Sequence, residues 1–143
     1  HRPHRTGSSL RQNFMNYIDI VAMAAVLQYL VFGGLVGKAR GQYGVKAPAV
    51  AGNEQFERVY RVQMNTLELL VAFLPALYAA SKYWPTWVVA AVGAVYLVGR
   101  VTYWRAYVSE PSTRGLGFAL SIAPVFGLAL AALVPALLGK GVA

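Results

Sequence analysis

A segment of the chain, FERVYRVQMNTLE at residues 56–68, carries charged and amide side chains at helical spacing. Four of them fall within an arc of about 80° on an α-helix: Arg58, Arg61, Asn65 and Glu68. One helix face would then offer guanidinium, amide and carboxylate groups, which can bind a ligand carrying carboxylates and an ammonium group. The same spacing suits a self-neutralising set of salt bridges that anchors the helix end, and it does not decide between the two.

A second polar face is expected on a later segment. Tyr96, Arg100, Tyr103 and Tyr107 are spaced by four, three and four residues, which again places them in a narrow arc. An aromatic belt at a membrane interface, with one snorkelling arginine, would show the same spacing. Arg114 follows seven residues after Tyr107, where a basic residue is ordinary for a cytoplasmic loop when it is considered alone.

Brought together, the two faces would form a pocket with several cations, a carboxylate, an amide and tyrosine hydroxyl groups. Inserting an ionisable group into a membrane costs at least about 2.5–3.5 kcal/mol of free energy. Each such group is therefore expected to have an interaction partner or a function. The pocket suits a small zwitterion with several carboxylates; the tripeptide glutathione fits this inventory, although the inventory does not single it out. Gln63 points away from this face, toward a neighbouring helix or subunit.

The composition favours a membrane protein and excludes several kinds of active site. Of 143 residues, 57% are hydrophobic and 13% charged, against about 25% charged in soluble domains. The net charge of +8 alone would suggest nucleic-acid binding, but the basic residues lie between long apolar runs. The absence of cysteine excludes disulfide scaffolds and a cysteine nucleophile. Because the histidines, His1 and His4, lie in the N-terminal tail, no histidine triad or metal site is predicted in the body.

Four apolar segments must position these side chains. Each exceeds the roughly 20 residues that a membrane-spanning helix needs: residues 14–37, 59–81, 85–107 and 115–139. The fourth has no charged residue, whereas a helix of a soluble bundle would carry a polar stripe. The sequence therefore predicts an all-α integral membrane four-helix bundle over 14–143, preceded by a polar tail at 1–13. Small residues would let the helices pack closely: Gly93, Gly99, Gly117 and Gly127.

The loops between these segments differ in length and charge. A long polar loop is predicted at 38–58, a tight turn at 81–85 and a shorter polar loop at 108–115. Basic residues are more numerous on the side of the first and third loops, so the positive-inside rule places these loops in the cytoplasm. Asp19, in the outer part of the first segment, is either the ion-coupling carboxylate of a small transporter or a side chain that snorkels to the interface.

The polar segment resembles the signature of the MAPEG family of membrane proteins, which includes microsomal glutathione transferases, leukotriene-C synthases and prostaglandin E synthases. Its pattern E-R-x-x-R-x-x-x-N-x-x-E is met here by Glu57, Arg58, Arg61, Asn65 and Glu68. The third-segment pattern Y-x-x-x-R-x-x-Y-x-x-x-Y and the trailing Arg114 agree with the family, as do Lys38-Ala39-Arg40 and the bacterial-like YGVKAP at 43–48. The resemblance covers residues 14–139.

The resemblance implies a homotrimer with twelve spanning helices, in the inner membrane of a bacterium, that uses glutathione as a cosubstrate and no metal. Glutathione would lie between subunits near the cytoplasmic face. The family's binding residues on one subunit are matched by Arg61, Asn65, Glu68, Tyr103 and Tyr107. The binding residues that the neighbouring subunit contributes are matched by Arg40 and Gln63. Further arginines of the same polar layer are matched by Arg58 and Arg100. Arg114 matches the catalytic arginine that stabilises the thiolate.

The implied activity is that of a glutathione transferase, with or without peroxidase activity, acting on lipophilic electrophiles or hydroperoxides. Two positions depart from the leukotriene-C synthases. Leu69 replaces a tyrosine that follows the last signature glutamate, and Gly41 replaces a second arginine at the end of the first helix. These departures argue against specific leukotriene synthesis. A non-catalytic relative that binds lipid or a partner protein is the alternative.

Overall fold

Four long helices make up the described part of the chain. A computed structural model describes the backbone of residues 6–141 and the side chains of residues 16–141. Within these ranges there is no β-strand, and the chain forms α1 (Thr6–Tyr43), α2 (Glu54–Ala80), α3 (Thr86–Ser109) and α4 (Gly115–Leu137), with a 3-10 turn at Pro111–Thr113 between α3 and α4. The predicted all-α architecture is confirmed.

All four helices are long and apolar enough to cross a membrane. In α1 the stretch that qualifies is Asn16–Tyr43, and the other three helices qualify over their whole lengths. The chain is therefore an integral membrane protein. His1 and His4, both predicted to lie in the tail, are outside the described residues.

The first loop is shorter than predicted because helix continues into it from both sides. α1 ends at Tyr43, and Gly44 follows with a φ of 71°, a left-handed conformation that stops a helix. α2 begins at Glu54, where the Asn53 side chain accepts a hydrogen bond of 3.0 Å from the backbone N–H of Phe56. The loop prediction at 38–58 is thus wrong at both ends, and only residues 44–53 lie between the helices.

Helix α1 begins before its apolar part. It starts at Thr6, so the backbone of residues 6–13, within the polar tail predicted at 1–13, is helical. The predicted segment began at residue 14 because apolar character begins there, whereas a helix can extend beyond its apolar part into the polar surroundings.

Glycines bring α3 against its neighbours. A methyl group added to Gly99 would meet the backbone carbonyl carbon of Leu120 in α4 at 2.6 Å, and one added to Gly117 would collide with the backbone of Tyr103. Gly93 similarly lies against side chains of α1 and α2. Gly127 faces open space within the chain, so three of the four predicted close contacts occur.

A tryptophan satisfies a carbonyl group that a proline leaves free in α4. Pro135 has no N–H to donate, so the carbonyl of Ala131, four residues earlier, lacks its helical partner. The indole Nε1–H of Trp84, in the turn between α2 and α3, donates to that carbonyl at 2.7 Å. This contact ties the turn to α4 at the end of the bundle opposite the first and third loops.

Candidate functional site

Side chains from three helices line an open cleft near the first and third loops. The cleft has a volume of about 410 Å³. Its walls come from α2, α3 and the start of α4, and consist of Arg61, Asn65, Tyr103, Tyr107, Arg114 and Phe118. The structure therefore brings together one part of the α2 face, one part of the α3 face and the arginine that precedes α4.

The arginines of the cleft differ in their pairing. Arg61 Nη1 lies 3.5 Å from Glu68 Oε1, and both side chains are half exposed, at 51% and 58%. Arg114 is exposed, and its Nη1 donates to the carbonyl of Pro111 at 2.9 Å. Among the described residues no carboxylate pairs with Arg114, so the cleft offers one guanidinium without a carboxylate partner. An anion is the complementary ligand.

The tyrosines of the cleft are held by packing between α3 and α4. The rings of Tyr103 and Tyr107 stack with their centroids 5.4 Å apart, and Phe118 lies 6.3 Å from Tyr103. Gly117 allows the backbone of α4 to approach Tyr103 directly. The two hydroxyl-bearing rings therefore have defined positions on one wall of the cleft.

Arg100 lies behind the cleft rather than in it. The side chain is fully buried, and it contributes no surface to the cleft walls. Its Nη1 donates to Asn65 Oδ1 at 2.7 Å and to Thr66 Oγ1 at 3.2 Å, while its Nε donates to Ser121 Oγ at 2.9 Å. These bonds hold the guanidinium inside the bundle, and the assignment of Arg100 as a ligand-binding residue stays a prediction.

Arg58 caps the end of α3. Its Nη1 donates to the carbonyls of Val108 and Ser109 at 3.3 and 3.1 Å, and its Nη2 pairs with Glu54 at 2.8 Å. The last carbonyls of a helix lack helical partners, so an arginine here stabilises the helix end. Within the chain, Arg58 is thus engaged away from the cleft, with a salt bridge to Glu54, and its role in ligand binding stays a prediction.

The remaining predicted binding residues also lie off the cleft of their own chain. Arg40 donates to the carbonyls of Val45 and Ala49 at 3.3 and 2.7 Å and lies over the Phe56 ring, where it organises the first loop. The amide of Gln63 packs against Gly33 of α1. Glu68 does not line the cleft, but it pairs with Arg61, which does.

Three residues that line the cleft or hold Arg100 behind it were not predicted from the sequence. Phe118 lines the cleft four residues after Arg114, a helical spacing that could have indicated a shared face. Thr66 and Ser121 are buried partners of Arg100, and nothing in their apolar segments distinguishes them from ordinary small helix residues.

Asp19 accepts a hydrogen bond from the Tyr78 hydroxyl at 2.8 Å, far along the helices from the cleft.

Comparison with known proteins gives the family. Residues 18–134 match the MAPEG family. The chain belongs to this family. It is 50% identical over 101 residues to an uncharacterised protein of the cyanobacterium Synechocystis, an alignment that covers 71% of this chain and 73% of that protein.

Mammalian relatives of the MAPEG chain carry functional names. Human microsomal glutathione S-transferase 2 is 38% identical over 102 residues, which cover 71% of this chain and 69% of the relative. Leukotriene C4 synthase of the guinea pig, Cavia porcellus, is 35% identical over 94 residues, which cover 66% of this chain and 63% of the relative.

Within the described residues, no group of three or more His, Cys, Asp or Glu side chains is arranged to hold a metal ion.

Proposed function

We propose that this MAPEG protein is a membrane-bound glutathione transferase that activates the glutathione thiol for attack on lipophilic electrophiles, and that it also reduces lipophilic hydroperoxides. The observation that carries the proposal is the convergence of Arg61, Asn65, Tyr103, Tyr107 and Arg114 on one cleft. The names of the mammalian relatives support glutathione as the thiol.

The cleft matches glutathione group by group. Glutathione carries two carboxylates, an ammonium group, two peptide groups and a thiol. The Arg61 guanidinium suits a carboxylate, and Glu68, which lies beside the cleft and pairs with Arg61 at 3.5 Å, suits the ammonium group. The amide of Asn65 and the tyrosine hydroxyls offer hydrogen bonds to peptide groups.

Arg114 supplies the activation in this proposal. A free thiol has a pKa of about 8.5, so only a few per cent is thiolate at neutral pH. A guanidinium within about 4–6 Å favours the anion and lowers the thiol pKa by about 1–3 units. Because Arg114 has no carboxylate partner among the described residues, its charge is available to a thiolate in the cleft.

The reaction needs no protein nucleophile. The thiolate sulfur forms a bond to the electrophilic carbon, a leaving group such as halide departs with the bonding electrons, and the thiol proton is released to water. With a hydroperoxide, the sulfur attacks the outer oxygen and the alcohol leaves after protonation. A second glutathione then attacks the sulfenic acid, which yields glutathione disulfide and water. The absence of cysteine from the chain agrees with this chemistry.

A homotrimer completes the proposed site. Arg40 and Gln63 lie away from the cleft of their own chain, which supports a role for them in the cleft of a neighbouring subunit. The proposal places the first and third loops, and with them the cleft, on the cytoplasmic side of a bacterial inner membrane. Leu69 is buried in the core and Gly41 has no side chain, which favours a broad range of electrophiles over leukotriene synthesis.

Turnover by the purified protein tests the proposal. The protein in lipid nanodiscs is assayed with glutathione and an aryl halide, and separately with glutathione and a lipid hydroperoxide. We expect thioether formation in the first assay and glutathione disulfide in the second. Glutathione binding without either product would favour a non-catalytic protein, and a lack of glutathione binding would overturn the proposal.

A further inference from the structure

Arg100 connects the walls of the cleft from behind. Its guanidinium donates to Asn65 of α2 and Ser121 of α4, and its central carbon lies 4.4 Å from the centroid of the Tyr103 ring on its own helix. Among the described residues no carboxylate lies within 4.0 Å of it. The hydrogen bonds to neutral oxygens and the face of Tyr103 are therefore what stabilise this buried charge.

The hydrogen bond from Arg100 determines which way the Asn65 amide faces. A guanidinium has only donors, so the atom of Asn65 that lies 2.7 Å from it must be the carbonyl oxygen Oδ1. The amide nitrogen Nδ2, with its two hydrogens, is then left for the cleft that Asn65 lines. Without Arg100 the amide could rotate and present either its oxygen or its nitrogen.

We infer that Arg100 is a positioning residue that holds Asn65 as a hydrogen-bond donor toward the cleft. The ligand group beside Asn65 must consequently be an acceptor, that is, a carboxylate or peptide carbonyl oxygen of glutathione. The inference rests on the proposed function. It assigns Arg100 an effect on ligand affinity that it exerts without touching the ligand.

The substitution Asn65→Asp tests the direction of the hydrogen bond. The aspartate can still accept from Arg100, so the bundle keeps its buried partner, but it has no hydrogen to donate to the cleft. We expect glutathione affinity, measured by isothermal titration calorimetry in nanodiscs, to fall about tenfold or more, with the melting temperature maintained. Undiminished affinity would overturn the inference, because Asn65 would then not act as a donor to the ligand.

A double-mutant cycle tests whether Arg100 acts through Asn65. Arg100→Met keeps the buried volume roughly unchanged, and we expect it to raise the KM for glutathione by about tenfold. In an Asn65→Ala background the same substitution should add little. The pH profile of turnover at saturating glutathione should stay in place, because Arg114 is intact. Additive effects, or a shifted pH profile, would count against positioning through Asn65.

Thr66→Val serves as the matched control. It removes the 3.2 Å contact of Arg100 with Thr66 Oγ1 but leaves the Asn65 bond, so affinity should stay near that of the wild type. The wild-type titration separates the two proposals. No glutathione binding by the wild type overturns the proposed function and this inference together, whereas wild-type binding with undiminished binding by Asn65→Asp overturns this inference alone.

Discussion

The Arg114 guanidinium should act on the charge of the bound thiol rather than on ligand binding in general. The thiolate exists only after deprotonation, so removing the cation by Arg114→Ala should raise the pKa of bound glutathione by about 1–3 units, equivalent to about 1.4–4 kcal/mol. Turnover at pH 7 should fall, and it should recover as the pH approaches about 8.5, where the thiol ionises unaided. Ultraviolet thiolate absorbance against pH, in the presence of bound glutathione, measures the shift.

Two further variants make this test specific for Arg114. Arg114→Lys should recover part of the effect, because charge matters more here than the planar fork of the guanidinium. Arg105→Ala removes an exposed arginine that does not line the cleft, and it should leave the titration unchanged. Overlapping titration curves for the wild type and Arg114→Ala would leave Arg114 as a charge that serves membrane topology alone.

Arg61 should matter for affinity far more than for stability. Its pairing with Glu68 is half exposed, and such pairs contribute only about 0–1 kcal/mol to folding. Losing a charge-assisted hydrogen bond to a ligand carboxylate costs about 1.5–3 kcal/mol. Arg61→Ala should therefore lower glutathione affinity by about tenfold to a hundredfold, while the melting temperature changes little. Calorimetric titration and thermal unfolding of the same nanodisc preparation provide both values.

Arg58→Ala is the matched control and should show the opposite pattern. It lies one helical turn before Arg61, but it caps the carbonyls of Val108 and Ser109. We expect a loss of about 1–3 kcal/mol of stability from these charged hydrogen bonds and nearly normal affinity. Equal losses of affinity in the two variants would contradict the division of roles between these arginines.

The contrast between these arginines shows what residue spacing can and cannot predict about a site. Helical periodicity predicts that Arg58 and Arg61 share one face of α2. Periodicity gives only the direction in which each side chain leaves the helix. The site depends also on how far each side chain extends and on which residues of other helices contact it. Arg58 meets the end of α3, and Arg100 is enclosed by Asn65, Thr66 and Ser121. Those partners come from other helices, so no pattern within one segment could identify them.

At the scale of elements, Gly117 should be indispensable to the cleft. A methyl group there would collide with the backbone of Tyr103, so α4 would have to move away from α3. We expect Gly117→Ala to destabilise the protein by about 1–3 kcal/mol and to lower glutathione affinity, because Tyr103 lines the cleft. Thermal unfolding and calorimetric titration in nanodiscs measure the two effects.

Gly127→Ala in the same helix is the control for this prediction. Apart from its chain neighbours and the backbone of its own helix, no atom of the described residues lies within 4 Å of the position of the added methyl group. Alanine also favours helix by about 1 kcal/mol over glycine, so the folding of the chain should be unharmed and the affinity unchanged. Similar losses for the two alanine variants would mean that the close approach of α3 and α4 does not position Tyr103.

Helix existence was predictable from the sequence, whereas helix ends were less so. The apolar segments identify all four helices because membrane length and hydropathy leave little choice. The loop prediction at 38–58 is wrong at both ends because a polar composition does not exclude helix. Asn53 and the acidic residues Glu54 and Glu57 are instead signals for the start of a helix. Reading those residues as a cap would have placed the start of α2 correctly.

At the scale of the whole molecule, the single chain leaves the proposed site open on one side. The cleft is lined by α2, α3 and α4, while Arg40 and Gln63 are directed elsewhere in their own chain. Large apolar side chains are exposed on α1 and α4, among them Leu27, Val31 and Leu137. We expect a trimer in lipid, which native mass spectrometry of nanodisc or detergent preparations would detect. A monomer or dimer under both conditions would contradict the prediction.

Co-expression of inactive variants tests whether adjacent subunits share each site. In the proposed trimer, Arg61 and Arg114 come from one subunit and Arg40 from its neighbour. A mixed trimer of Arg40→Ala and Arg114→Ala chains would then contain sites in which the Arg40→Ala chain supplies Arg114 and the Arg114→Ala chain supplies Arg40. Turnover at pH 7 should reappear in these mixtures although each variant alone is impaired.

The pair Arg61→Ala and Arg114→Ala provides the control for shared sites. Both arginines line the cleft of a single chain, so every site in such a mixture lacks one of them and turnover should stay low. Two differently tagged chains, purified sequentially, ensure that only mixed assemblies are assayed. Because Arg40 also holds the first loop through Ala49, each preparation must retain the wild-type mass. Equal recovery in both mixtures, or none in either, would exclude a site built between neighbouring subunits.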